Sequence, residues 1–114
     1  MAHSYFHAKS SAKKFGGKLE DYLPLHCWFD ESKSYIAEAQ HRALRHHSEG
    51  IFMAEKIFGQ IIKNSVGKEI PVRIVGEQHM LEDFGFIPTV ADWLLKIPLE
   101  PWMYKKAKKL SKTL

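Results

Sequence analysis

Seven histidines in 114 residues is a high count for so small a chain. They are His3, His7, His26, His41, His46, His47 and His79. Near two of them stands a carboxylate at helical spacing. In Gly76-Glu-Gln-His79-Met-Leu-Glu-Asp83, His79 and Asp83 are one turn apart and can face one point. That pair suits a divalent metal, or a histidine oriented by its acid. It can equally be an exposed helix pair. In His26-Cys-Trp-Phe-Asp30 the same spacing recurs after a proline turn. There Asp30 can cap the helix that follows, while Leu25, Trp28 and Phe29 favour burial of His26.

The third candidate is His47. Residues 35–58 read as helix, and on a wheel at about 100° per residue His47 falls in the middle of an apolar stripe. Ile36, Ala43, Ile51, Ala54 and Phe58 share that stripe with Gln40. A buried histidine needs a polar partner, because an unsatisfied buried group costs about 1–3 kcal/mol. His47 is therefore either a neutral core histidine bonded to a carbonyl or carboxylate, or a side chain pointing into a polar site. The same wheel makes His46 the more exposed of the pair. It turns Glu49 away from His47 and toward Arg45. These residues would line a polar pocket for a divalent metal or a small anionic ligand, and the metal candidates are His26, His47, His79 and Asp83, with His7 and His46 as second choices. Three imidazoles and a carboxylate suit zinc, iron, nickel or manganese better than magnesium or calcium. An open coordination position would support hydrolysis, for example of a phosphoester.

No familiar catalytic pattern accompanies these residues. The chain has no P-loop, GxGxxG, GxSxG or HExxH pattern, and its histidine doublet is His46-His47 rather than His-Asp. Cys27 is the lone cysteine, so neither an intrachain disulfide nor a zinc-finger framework is available. The sequence names no catalytic residue, and a site must be assembled in space.

The runs HAKSSAKKFGG, EDYLPLHCWFDESK, HRALRHHSEGIF, VRIVGEQHMLEDFG and IPTVADWL resemble a family of small proteins of bacteria and their phages. That family is known only as a domain of unknown function. The resemblance covers about residues 2–103. It implies a prokaryotic or viral origin and a single domain, and it implies no activity. The polar residues inside those runs are His7, Ser10, Ser11, His26, Asp30, Lys33, His46, His47, Gln78, His79 and Asp83.

The elements that must position these residues follow from pattern and punctuation. Ser4 opens a helix to about Phe15, closed by Gly16-Gly17. Pro24 interrupts the next segment. Asp30 or Ser32 starts the longest helix, to about Phe58. Gln60–Lys63 and Glu69–Val75 flank Asn64-Ser-Val-Gly67 as a hairpin, with Pro71 on an edge. A short helix runs from Glu77 to about Phe84, and Thr89 with Asp92 caps another to Ile97. Trp102–Leu114 is a last helical pattern. The expected fold is α+β, mainly α: a compact helical domain with one hairpin at about residues 60–75. Trp28, Phe52, Phe84 and Trp93 are the expected core aromatics.

Composition sets the frame. Apolar residues at 45% and charged residues at 26% describe an ordinary globular chain. No run reaches the roughly 20 apolar residues of a membrane span. With no secretory leader and one cysteine, the cytoplasm of a bacterial or phage-infected cell is the expected compartment. The net charge of +4 is unevenly placed, because residues 105–112 carry five lysines and no acid. The expected division is a domain at 1–103 and a lysine-rich tail at 104–114. Lys105, Lys106, Lys108, Lys109 and Lys112 could bind nucleic acid or an acidic protein. That is a second, non-enzymatic reading: a phage or host interaction protein. A homodimer is the base-rate expectation.

Overall fold

The structure, a computed structural model, describes residues 3–106. Helix α1 spans Ser4–Phe15 and α2 spans Leu23–Asp30. Two short 3-10 helices, Glu31–Ser34 and Ala39–Leu44, lead to α3 at Ser48–Phe58. Strands β1 (Ile61–Lys63) and β2 (Glu69–Pro71) precede α4 at Val72–Phe84. Helix α5 covers Val90–Leu94, and α6 covers Pro101–Tyr104. The fold is α+β and mainly α, as expected. Helix α3 packs on α4, α1 packs on α2, and both α1 and α2 touch α4.

The core is small. Tyr22, Leu25, Phe29, Ile51, Ala54, Ile70, Val72, Val75 and Met80 are buried. Trp28 lies at its margin, under the Arg45 guanidinium at 4.4 Å from the ring centroid. Phe84 and Trp93 are half-buried, and Phe52 is exposed rather than core. Two glycines set the approach of α3. A Cβ on Gly50 would overlap the carbonyl oxygen of Arg45. A Cβ on Gly76 would stand 3.1–3.3 Å from Ile51 and Phe29.

The hairpin pairs Ile61 with Pro71, Ile62 with Ile70 and Lys63 with Glu69. Asn64 holds its turn, its side-chain oxygen accepting from the Val66 and Lys68 amides. The second strand is shorter than expected. Helix α4 begins at Val72, five residues before Glu77, because Val72, Val75, Gly76 and His79 fall on one buried helical face. Packing of that face overrides the strand preference of Val-Arg-Ile-Val.

The expected long helix 32–58 is the main correction. The chain breaks it twice before α3. Ser32 is buried, with its hydroxyl against His41 Nδ1 at 2.8 Å and the His41 carbonyl at 3.1 Å. Side chains bonding locally to backbone compete with a helix. Glu38 and His47 both adopt extended backbone. At the second break the His47 ring becomes the N-cap of α3, its Nδ1 accepting from the Gly50 amide at 2.9 Å. The helical wheel drawn through residues 35–47 therefore does not describe their faces. Glu49 is the nearest acid to His47, at 3.8 Å, and Arg45 reaches Glu31 instead. Similarly α5 stops at Leu94 rather than Ile97, although the Thr89–Asp92 capping box forms as expected. The last pattern is helical over Pro101–Tyr104, and residues beyond 106 lie outside the described chain. Among the described residues no helix is long and apolar enough to cross a membrane.

A buried histidine and aspartate cluster

The inward face of α1 is Ser4, His7, Ala8 and Ser11. These follow helical spacing, but three of the four are polar, and their counterpart is a polar interior. From α2 come His26 and Asp30, from the chain before α3 comes His46, and from α4 come Gln78, His79 and Asp83. The side chains of His7, His26, His46, His79 and Asp83 are fully buried.

Four atoms converge at the centre. His46 Nε2 lies 3.2 Å from His79 Nε2 and 3.1 Å from Asp30 Oδ1. Asp83 Oδ2 is 3.4 Å from His46 Nε2 and 3.3 Å from His79 Nε2. Asp30 Oδ1 is 3.5 Å from His79 Nε2. All four residues offer ligand atoms within 4.8 Å of one another. Yet Asp83 Oδ2, buried among them, has no hydrogen-bond partner among the described residues. His46 Nδ1 and His41 Nε2, on neighbouring rings 5.6 Å apart, are likewise without one.

The surrounding hydrogen bonds fix what His79 presents. Gln78 Nε2 donates to the His7 carbonyl at 3.0 Å and to Glu82 Oε1 at 3.0 Å, so its Oε1 is the acceptor. Ser11 donates to that oxygen at 2.6 Å. With its one proton so used, Ser11 accepts from His26 Nε2 at 2.7 Å. His26 Nδ1 is then a lone pair, and His79 Nδ1 donates to it at 2.9 Å. In the neutral ring this leaves a lone pair on His79 Nε2, aimed at the two carboxylates and His46. His26 is thus a partner of a central ring and not one of the central atoms. Burial, reinforced by the neighbouring His79 and His7, pushes its pKa down to about 2, so it stays neutral.

His7 has the opposite character. Its Nδ1 is 2.8 Å from Glu82 Oε1 and its Nε2 is 3.1 Å from Asp83 Oδ1. Burial works against charging it, but the bonds to Asp83 and Glu82 outweigh that and raise its pKa. Burial likewise acts to raise Asp83 and Asp30. The imidazoles around each outweigh it, with Ser4 helping at Asp30, and hold both well below the usual carboxylate range. Asp30 Oδ2 accepts from Ser4 Oγ at 2.7 Å. Asp30 therefore faces inward and forms no side-chain cap for the turn after it.

Of the residues singled out for a metal, His79 and Asp83 stand at the centre and His26 behind His79. His47 does not join them. Its ring is spent on the α3 cap and on the Ala43 carbonyl, 3.1 Å from Nε2. It is buried, but His46 is buried more completely. His46 takes the central place instead, and His7 lies in the surrounding layer. Asp30, Ser11 and Gln78 are the members that helical phase alone misses. Asp30 was visible only through its spacing from His26. Lys105 and Lys106 are exposed and distant in role from the cluster. Lys108, Lys109 and Lys112 lie outside the described residues.

A model of a domain of unknown function, DUF6915, matches residues 2–103. The chain belongs to the DUF6915 family. No curated protein and no solved structure matches it. Nine of the polar residues in the runs that carry the family resemblance meet in or around this one cluster of the DUF6915 chain; Lys33 and His47 do not.

Proposed function

We propose that this protein binds a divalent transition metal through Asp30, His46, His79 and Asp83. One observation carries the reading. Four ligands about 2.0–2.1 Å from a tetrahedral zinc stand roughly 3.3–3.4 Å apart. The five distances above span 3.1–3.5 Å, and Asp83 Oδ2 has no other use for its lone pairs. His46 Nε2 can give its one proton to Asp30 or to His79, which still leaves Asp83 Oδ2 without compensation where the four residues meet, and a cation there would balance it. The same charges disfavour an anionic ligand at this cluster.

Two nitrogens and two oxygens in this arrangement favour zinc, with iron, nickel and manganese as competitors. The cluster supplies four ligands from the protein and is closed to solvent. Catalytic zinc sites keep a position open, whereas structural ones do not. The geometry therefore favours a metal that secures the fold over a hydrolytic centre. His7, His26 and Ser4 would orient the ligands from behind.

Metal analysis of untagged protein tests the reading. About one metal per chain is expected, and His79→Ala or Asp83→Asn should remove it. His47→Ala should retain it. A preparation with no stoichiometric metal, unable to take up zinc, would overturn the proposal.

A further inference from the structure

A second feature lies outside the histidine cluster. An apolar groove of about 690 Å³ runs between the 3-10 helix Ala39–Leu44 and α5. Ile36, Leu44, Phe84, Phe86, Trp93 and Ile97 form its walls. Where the groove ends at Ile97, an arm leaves the body. The arm carries Leu99, Trp102 and Tyr104, each more than 70% exposed. Among the described residues, the hydrogen bonds of residues 98–106 stay within the arm. Among the described residues the chain thus exposes both an apolar groove and an apolar arm, and neither has a partner.

We propose that the arm occupies the groove of a second copy of this chain, and that the exchange is reciprocal. Three observations favour a second copy over the chain's own groove or a foreign ligand. First, Ile97 precedes Pro98, and a residue before proline is held extended. Leu99, Trp102 and Tyr104 beyond it are exposed and are not folded back into the chain's own groove. Pro101 stiffens the arm further. Second, the charges are compatible. Lys96 and Asp92 line the groove and the arm carries Glu100 with Lys105 and Lys106, so each side offers both signs; Lys96 and Glu100 have no ion pair among the described residues. Third, the area suffices. An aromatic side chain buries about 150–250 Å², so Leu99, Trp102, Met103 and Tyr104 offer roughly 500 Å² per arm. Two arms in two grooves then bury on the order of 1,300 Å² in total, within the range of specific stable interfaces. A two-fold exchange closes on itself and leaves no arm free. The family match extends through Met103, so the arm belongs to the domain.

Analytical ultracentrifugation of the full chain at roughly 50 µM, well above the Kd an interface of this size supports, should give a dimer. Leu99→Ala with Trp102→Ala should weaken it at least about tenfold. Both residues are exposed, so the circular dichroism spectrum and the metal content should not change. A Cys27→Ser chain carrying Leu44→Cys and Leu99→Cys separates the routes. Oxidation is expected to give a covalent dimer. A monomeric wild-type chain would overturn the proposal, as would a link formed only within one chain. So would a dimer that the double substitution leaves intact.

Discussion

At the scale of single residues, the two adjacent histidines have exchanged the roles that a helix would give them. His46 turns inward to Asp30, His79 and Asp83, and His47 closes the first turn of α3. Their substitutions should separate accordingly. His47→Ala removes a cap and should cost about 1 kcal/mol in urea unfolding, with metal uptake unchanged. Asp83→Asn keeps the shape but removes the charge that faces His7, His46 and His79. It should cost about 3 kcal/mol and abolish uptake. Equal effects of the two substitutions would contradict this division of labour. The pair also shows what the sequence could and could not convey. His79 and Asp83 were legible because i,i+4 spacing holds on an unbroken helix. His46 was misplaced because its phase was read through a break. That break arises from Ser32, His41 and His47 bonding to nearby backbone, which no apolar periodicity records.

Titration of the cluster gives a second residue-scale prediction, for metal-free protein. His26 stays neutral in the folded state, its pKa pushed down to about 2, while the unfolded chain protonates it near the ordinary value of 6.5. The unfolded state then binds more protons between those values, so stability falls as pH drops below 6.5. His41 and His47 are shifted the same way, by burial first. His7 acts oppositely. Its raised pKa contributes stability that is complete below 6.5 and is lost as pH rises through the folded value. Three histidines oppose one, so urea midpoints with chelator present should fall from pH 7 to pH 5. The slope approaches about 1.4 kcal/mol per pH unit for each net proton. His26→Gln should flatten it. A midpoint that rises on acidification would show that the His7 contribution outweighs those of His26, His41 and His47.

At the scale of elements, α1 and α4 were bounded by different kinds of information. Gly16 and Gly85 end their helices as punctuation predicts, both at positive φ. The start of α4 was hidden, since Val72 to Val75 favours strand until α3 packs on it. The inward face of α1 was hidden for another reason. A hydrophobic pattern cannot reveal a face made of Ser4, His7 and Ser11. The close approach of α3 to its neighbours rests on two glycines with different tolerance. Gly50→Ala would meet the Arg45 backbone, which cannot yield, and should cost about 3 kcal/mol or more. Gly76→Ala would meet the tips of Ile51 and Phe29 at 3.1–3.3 Å, which can shift. Its cost should stay near 1–2 kcal/mol. Thermal unfolding of the two variants should rank them in that order, and the reverse ranking would mean that the turn at Arg45 is not rigid.

At the scale of the whole molecule, the interior is divided between a small apolar core and a polar cluster of comparable prominence. His7, His26, His41, His46 and His79 are as fully buried as Phe29 or Met80. A chain of this size has little spare stability, typically 5–15 kcal/mol. Burial alone disfavours Asp30 and Asp83 as anions, and the side chains around them must offset that cost, although Asp83 Oδ2 gains no hydrogen bond among the described residues. His7 and Arg42 face Asp83, at 3.1 Å and 3.8 Å from its Oδ1, and Asp30 is faced by Ser4 and two imidazoles. A bound divalent cation would offset that cost directly, because ligand bound to the folded state alone stabilises it by mass action. The full chain should therefore melt higher with zinc than with chelator. At free metal about 100-fold above Kd the gain is about 2.7 kcal/mol, or roughly 10 °C for a domain this small. His47→Ala should keep the whole shift although its own melting point is lower. His46→Ala should lose the shift, because it removes a central nitrogen. A metal-dependent shift that survives His46→Ala would place the cation elsewhere, with the two buried aspartates balanced by the protein alone.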